Sequence, residues 1–321
     1  MAEPRIQYAK TTDGVSIAFW TLGEGIPLVQ LPTIPFGVIR GLIVGDQRWT
    51  ERITQSVRYV RYDSRGSGLS ERNVTDFSLD AYVLDLEAVV DHLGLKSFAL
   101  QGTPTSGPVA ITYAARHPER VSHLLLWSTY ARAADFFQSP RGDAFAGMLE
   151  KDWELFTESV AYAWAGWSED EPVREIADFI RESVTPETAR AAFRAIAEFD
   201  VMSLLSEVRA PTLVTHSREA PLFAAELATG LAARIPNARL VLLEGTAVGS
   251  TQPDSIETTV RVLEDFLGVE ERPDGRADAP AASGAEPPAP QGFRTILFTD
   301  IEGSTAMTQR LGDEKAREVL R

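Results

Sequence analysis

The chain has 321 residues, 44% of them hydrophobic and 24% charged, which is enough for one large domain or two ordinary ones and apolar enough to fold. A formal net charge of −15 argues against a nucleic-acid or anionic-membrane surface, because both need clustered Lys and Arg. Cysteine is absent, which removes disulfides and thiolate metal sites; with no basic-then-apolar leader, and with the apolar stretch 26–44 broken by Pro32, Pro35 and Arg40, the expected location is cytoplasmic.

Taken in chain order, runs rich in β-branched residues predict strands at 15–20, 27–31, 57–62, 97–101, 121–127, 212–215 and 239–243. Apolar residues at helical spacing predict helices at 79–93, 224–235 and 255–267. This alternation is the pattern of a mostly parallel sheet flanked by helices. Residues 131–206 interrupt it with helical, aromatic-rich sequence containing Phe136, Phe137, Trp153, Phe156, Trp164 and Trp167, which reads as an inserted helical cap. Residues 269–291 read as a disordered linker, since 270–290 contain five prolines, six alanines and two glycines and no aliphatic or aromatic side chain larger than Ala. Residues 292–321 are too short to fold alone, so the chain is expected to stop inside a second domain.

Three stretches of residues 1–268 resemble the α/β-hydrolase family. Arg61-Tyr62-Asp63-Ser64-Arg65-Gly66-Ser67-Gly68-Leu69-Ser70 is similar to the family's strand-to-turn signature, and 107–121 to the helix after the nucleophile and the strand that follows it. Ala210-Pro211-Thr212-Leu213-Val214-Thr215-His216 resembles the strand that leads to the catalytic acid. The resemblance implies an α/β-hydrolase fold with the cap inserted between its sixth and seventh strands.

It also implies a Ser in a G-x-S-x-G turn, then an acid, then a His. Here the turn reads Gly102-Thr103-Pro104-Thr105-Ser106-Gly107, with Pro104 at the nucleophile position. Proline has no attacking atom, and its fixed φ is incompatible with the strained positive-φ geometry of that turn, so the turn is expected to be rebuilt. Ala220 stands at the acid position and Val248 where the His belongs; no histidine follows His216. His92, His117 and His123 fall on the covering helix, its terminal turn and a strand start, where structural roles are expected. In the oxyanion loop Pro32 and Thr33 replace the usual H-G, and a proline lacks the backbone donor.

Phe293-Arg294-Thr295-Ile296-Leu297-Phe298-Thr299-Asp300-Ile301-Glu302-Gly303-Ser304-Thr305 resembles the opening strand and turn of a class III adenylate or guanylate cyclase. That resemblance implies Asp300 and the backbone of Ile301 as ligands of Mg²⁺ or Mn²⁺, and a homodimer formed through the cyclase domain. The combined expectation is a non-catalytic sensor or regulatory domain of a nucleotide cyclase. Its candidate pocket for a small apolar or ester-like ligand is formed by Pro32, Thr33, Thr103, Pro104, Phe136, Phe137 and Trp164, unless these aromatics only pack the cap. Two alternatives stay open: a dimerisation scaffold for the cyclase, and an active hydrolase with a displaced nucleophile such as Thr103, Thr105 or Ser106.

Overall fold

The computed structural model describes residues 4–269 apart from 38, 40–43, 166–172, 219, 221 and 245–252. The expected linker and the cyclase-like segment, with Asp300 and Ile301, lie outside the described residues. So does Val248.

Eight strands form one sheet: β1 (Gln7–Lys10), β2 (Ser16–Leu22), β3 (Ile26–Gln30), β4 (Val57–Tyr62), β5 (Phe98–Gly102), β6 (Val121–Trp127), β7 (Thr212–Ser217) and β8 (Ala238–Leu243). Their order is β1-β2-β4-β3-β5-β6-β7-β8. β2 pairs antiparallel with both of its neighbours, and from β4 to β8 every pairing is parallel. Parallel strands need crossovers, and helices supply them while covering both faces of the sheet.

One face packs against α2 (Leu79–His92), α3 (Gly107–Arg116) and α9 (Ala225–Ala232), in a core that includes Val60, Leu86, Leu100, Ala110, Leu126, Val214 and Leu231. The other packs against α1 (Val44–Ile53) and α10 (Pro253–Leu267), with Trp20, Tyr59, Leu125, Leu213, Val260 and Leu263 at its centre. Strand alternation assigns the faces: Leu124 and Leu126 lie in the first core and Leu125 in the second. Arg52 ties α1 to α10 through Glu257 at 2.7 Å and Glu264 at 2.8 Å.

The cap between β6 and β7 comprises α4 (Ala134–Phe137), α5 (Pro140–Lys151), α6 (Trp153–Ala165), α7 (Val173–Ser183), α8 (Pro186–Ile196) and a short 3₁₀ turn at Met202–Glu207. Ser139 and Thr185 cap α5 and α8 through their hydroxyls, each followed by a proline in the first helical turn, where no backbone donor is needed.

The 61–70 segment shows why its residues are arranged as they are. The Asp63 carboxylate accepts hydrogen bonds from the backbone of Ile39 and Leu69, at 3.1 and 2.8 Å. Gly68, with φ +52°, lies so close to that carboxylate that a Cβ would fall 1.9 Å from Asp63 Oδ2. Arg65, itself buried, pairs with the fully buried Asp85 at 2.9 Å and with Asp13 at 2.9 Å. Burial pushes the Asp85 carboxyl up to about 7, against the pull of the guanidinium.

Candidate active site

In a parallel sheet, sites form at the carboxyl ends of the strands. At the end of β5 the 103–106 turn runs into α3 through ordinary backbone bonds, Gly107 N to Thr103 O at 2.9 Å and Ala110 N to Ser106 O at 3.0 Å. The strained geometry expected of a nucleophile turn is absent at position 104: among the described non-glycine residues only Ser128 and Asn237 have positive φ. The turn is packed too tightly for a side chain at Gly107, where a Cβ would meet Thr129 Oγ1 at 2.0 Å.

The hydroxyls around Pro104 form a closed network. Thr103 Oγ1 lies 3.1 Å from Pro32 O, 3.1 Å from Thr33 Oγ1 and 2.8 Å from Ser106 Oγ. A carbonyl only accepts, so the Thr103 proton goes to Pro32, and the Thr33 and Ser106 hydroxyls donate to Thr103. Thr105 donates to Ile34 O at 2.6 Å. The oxyanion loop thus presents the Pro32 carbonyl to the turn. The protons of Thr103, Thr105 and Ser106 are all committed to acceptors too weakly basic to remove them.

Above the turn lies a cavity of about 30 Å³, lined by Thr33, Phe36, Pro104, Thr105, Phe136, Phe137, Phe145, Val160, Trp164, Phe193, Leu222 and Phe223. That is room for roughly one or two waters. Five of the seven expected pocket residues, Thr33, Pro104, Phe136, Phe137 and Trp164, line it; Pro32 and Thr103 are buried just behind. The ring packing explains the small volume. Phe36 meets Trp164 edge-on at 5.6 Å, Phe136 lies 4.7 Å from Phe223, and Phe193 contacts Phe36, Phe137, Phe145 and Phe156. Pairs of this kind contribute about 0.5–1.5 kcal/mol each beyond burial, so aromatic side chains of the cap, together with Phe36 and Phe223, nearly fill the space.

At the end of β7, Ala220 places a buried methyl at the expected acid position. Glu219 lies outside the described residues. His216 is 1% exposed, and neither ring nitrogen has a hydrogen-bond partner of standard geometry. Burial holds its imidazole below the ordinary histidine range, with the Phe223 backbone and the Glu226 carboxylate pulling the other way. Beside it, at the end of β6, Ser128 is fully buried at φ +46°, a conformation that costs a residue other than glycine about 1–3 kcal/mol. Ser128 Oγ and Tyr130 Oη are also unpartnered.

Reading the motifs gave no signal for the buried, unpartnered hydroxyls of Ser128 and Tyr130, because neither carries a spacing signature. The other histidines sit in packing roles. His92 meets Phe19 edge-on at 5.2 Å, His123 meets Phe266 at 5.2 Å, and His117 lies against Tyr113 and 3.3 Å from Glu87. Among the described residues no three His, Asp or Glu converge as a metal site, and none of the described helices is long and apolar enough to cross a membrane.

The comparisons agree with this architecture. A model of the alpha/beta hydrolase fold family matches residues 53–247. A putative carbamate hydrolase RutD from Caulobacter sp. (strain K31) is 28% identical over 215 residues, covering 63% of this chain and 79% of that protein. A pimeloyl-[acyl-carrier protein] methyl ester esterase from Nitrosomonas europaea is 27% identical over 241 residues, covering 71% and 90%. An esterase from Exiguobacterium antarcticum superposes with a TM-score of 0.70 at 21% identity, covering 82% of this chain and 99% of that one.

These relatives are hydrolases, and they overturn the expectation of a non-catalytic sensor domain of a nucleotide cyclase. That expectation equated an empty nucleophile position with an idle fold, and its cyclase half rests on residues outside both the family match and the described region. The family match covers more than half of the sequence, and the chain belongs to the α/β-hydrolase fold family.

Proposed function

We propose that this domain hydrolyses carboxylic esters, or closely related acyl compounds, with a short apolar acyl group. The observation that carries the reading is the aromatic cavity laid directly on the turn at the carboxyl end of β5, with Pro104 and Thr105 as its floor. Similarity to an esterase and to a carbamate hydrolase supports the reaction class, because both act on an acyl carbon bearing a heteroatom leaving group. The size of the cavity supports the substrate class: at about 30 Å³ it accepts an acyl chain of a few carbons only when the rings around it yield. Position 104 offers no oxygen, so the attacking hydroxyl is displaced from the usual place.

The test is turnover of 4-nitrophenyl esters by the full chain. Acetate and butyrate esters are expected to be hydrolysed and the dodecanoate ester to be refused. Phe193→Ala, which opens the ring cluster, is expected to shift preference toward longer chains. No turnover above buffer for any ester or carbamate would overturn the reading.

A further inference from the structure

The loop that follows β3 carries two of the cavity's lining residues, Thr33 and Phe36, and is held at both ends. At its start Thr33 Oγ1 lies 3.1 Å from Thr103 Oγ1, and Ile34 O accepts from Thr105 at 2.6 Å, so that end is fixed to the turn after β5. At its far end the Ile39 N–H donates to the buried Asp63 carboxylate at 3.1 Å. Between the two ends the Phe36 N–H donates to Thr33 O at 3.0 Å, and the Phe36 ring meets Trp164 of α6 and Phe193 of α8.

The same carboxylate accepts from the Leu69 N–H at 2.8 Å, which joins the loop to the turn at 66–72. The two meet backbone against backbone: a Cβ on Gly37 would lie 2.6 Å from Gly68 Cα. That turn also carries the cap. The Gly68 N–H donates to Ser183 O at the end of α7 at 2.7 Å, and Arg72 reaches Glu182 O at 3.3 Å. Gly66 sits so close to α8 that a Cβ there would lie 3.1 Å from Thr188 Cγ2. Since α8 delivers Phe193 to the cavity wall, loop, turn and cap close a ring of contacts around the cavity, and Asp63 is the joint between loop and turn.

Resting on the hydrolase reading above, we propose that Asp63 is a positioning residue that sets the acyl-length limit of the cavity from outside it, by clamping the loop that bears Thr33 and Phe36 to the turn on which the cap hangs. A carboxylate suits this place, because both of its oxygens only accept and two backbone donors converge on it. Phe36 is the ring through which the clamp acts. It packs against rings from two cap helices, so the separation of loop and cap decides how far those rings close. In a space of about 30 Å³, a small outward movement of Phe36 is enough to admit further methylenes.

The test measures kcat/KM of the full chain for 4-nitrophenyl butyrate and octanoate. Asp63→Asn keeps the shape of the side chain, but whichever way its amide turns, the NH₂ group faces one of the two backbone donors. The octanoate-to-butyrate ratio is expected to rise at least about tenfold in Asp63→Asn and in Phe36→Ala, mainly through KM for the octanoate, and to rise no further in the double variant, because both changes release the same ring. An unchanged ratio in Asp63→Asn, or additive shifts in the double variant, overturns this assignment and leaves the hydrolase reading standing. No turnover of any ester or carbamate by the natural chain overturns both. If Asp63→Asn does not fold, native-state hydrogen exchange of the natural chain decides: the Ile39, Gly68 and Leu69 amides are expected to share one opening free energy, and separate values overturn the clamp.

Discussion

The molecule buries two polar groups on the cap side of its sheet and treats them differently. Around Arg65, the guanidinium meets Asp85 and Asp13, and the Asp85 carboxylate accepts from both the Arg65 side chain and its backbone N–H at 2.9 Å. Around Ser128, by contrast, the Ser128 hydroxyl and the Tyr130 phenol are enclosed with no hydrogen-bond partner. Burial is equally complete at Asp85, Ser128 and Tyr130. What differs is satisfaction. A group whose donors and acceptors are matched within the fold has nothing left to offer a substrate, whereas one left unmatched keeps its desolvated atoms available for a reacting molecule.

That contrast can be broken by substitution. The largest effect is expected from Asp85→Ala, which leaves the buried Arg65 charge with Asp13 as its remaining carboxylate ion pair; urea unfolding should show a loss of about 3–5 kcal/mol. Thr103→Val should cost about 1–2 kcal/mol in the same measurement, because the Thr33 and Ser106 hydroxyls lose their shared acceptor. The opposite sign is expected in the unmatched group. Tyr130→Phe removes a buried hydroxyl that has no partner and should be neutral or stabilise by up to about 1 kcal/mol, read as an unchanged or raised midpoint. A loss comparable to that of Thr103→Val would place Tyr130 with the matched groups and erase the distinction.

The matched group should also give stability a dependence on pH. The folded-state pKa of Asp85 is raised, to about 7, so its contribution is fully present below the ordinary aspartate range and declines as pH climbs through about 7. The stability of the natural chain relative to Asp85→Asn should therefore fall between about pH 4 and pH 7. A flat difference would mean that the carboxyl titrates normally.

Much of the fold was legible in the residues. The strands at Val57–Tyr62 and Val121–Trp127 coincide with their expected limits, because β-branched and aromatic runs end there in Asp-Ser-Arg-Gly and Ser-Thr. β1 was not anticipated: Gln7–Lys10 contributes a single buried residue, Ala9, and its neighbours are polar enough to read as coil. α1 was missed for a similar reason, since Val44–Ile53 is largely polar and lacks a long apolar stripe. The 102–107 turn and the cap aromatics were readable, the first from its motif and the second from composition. The unmatched hydroxyls of Ser128 and Tyr130 were not, because no motif or spacing marks which buried polar atoms the packing leaves without a partner. Nor does Leu-Trp-Ser-Thr contain a glycine to advertise a positive φ.

The cavity walled by Phe36, Phe136, Phe193 and Phe223 has a consequence for discrimination among visitors. A preformed mould selects by shape match, but a nearly filled one selects by the work of entry: each guest must tilt several interlocked rings, and that work is repaid only if the guest refills the same contacts. Rejection of bulky compounds then operates at the threshold, before chemistry begins. On the proposed hydrolase reading, ring reorientation would then set which esters reach the turn.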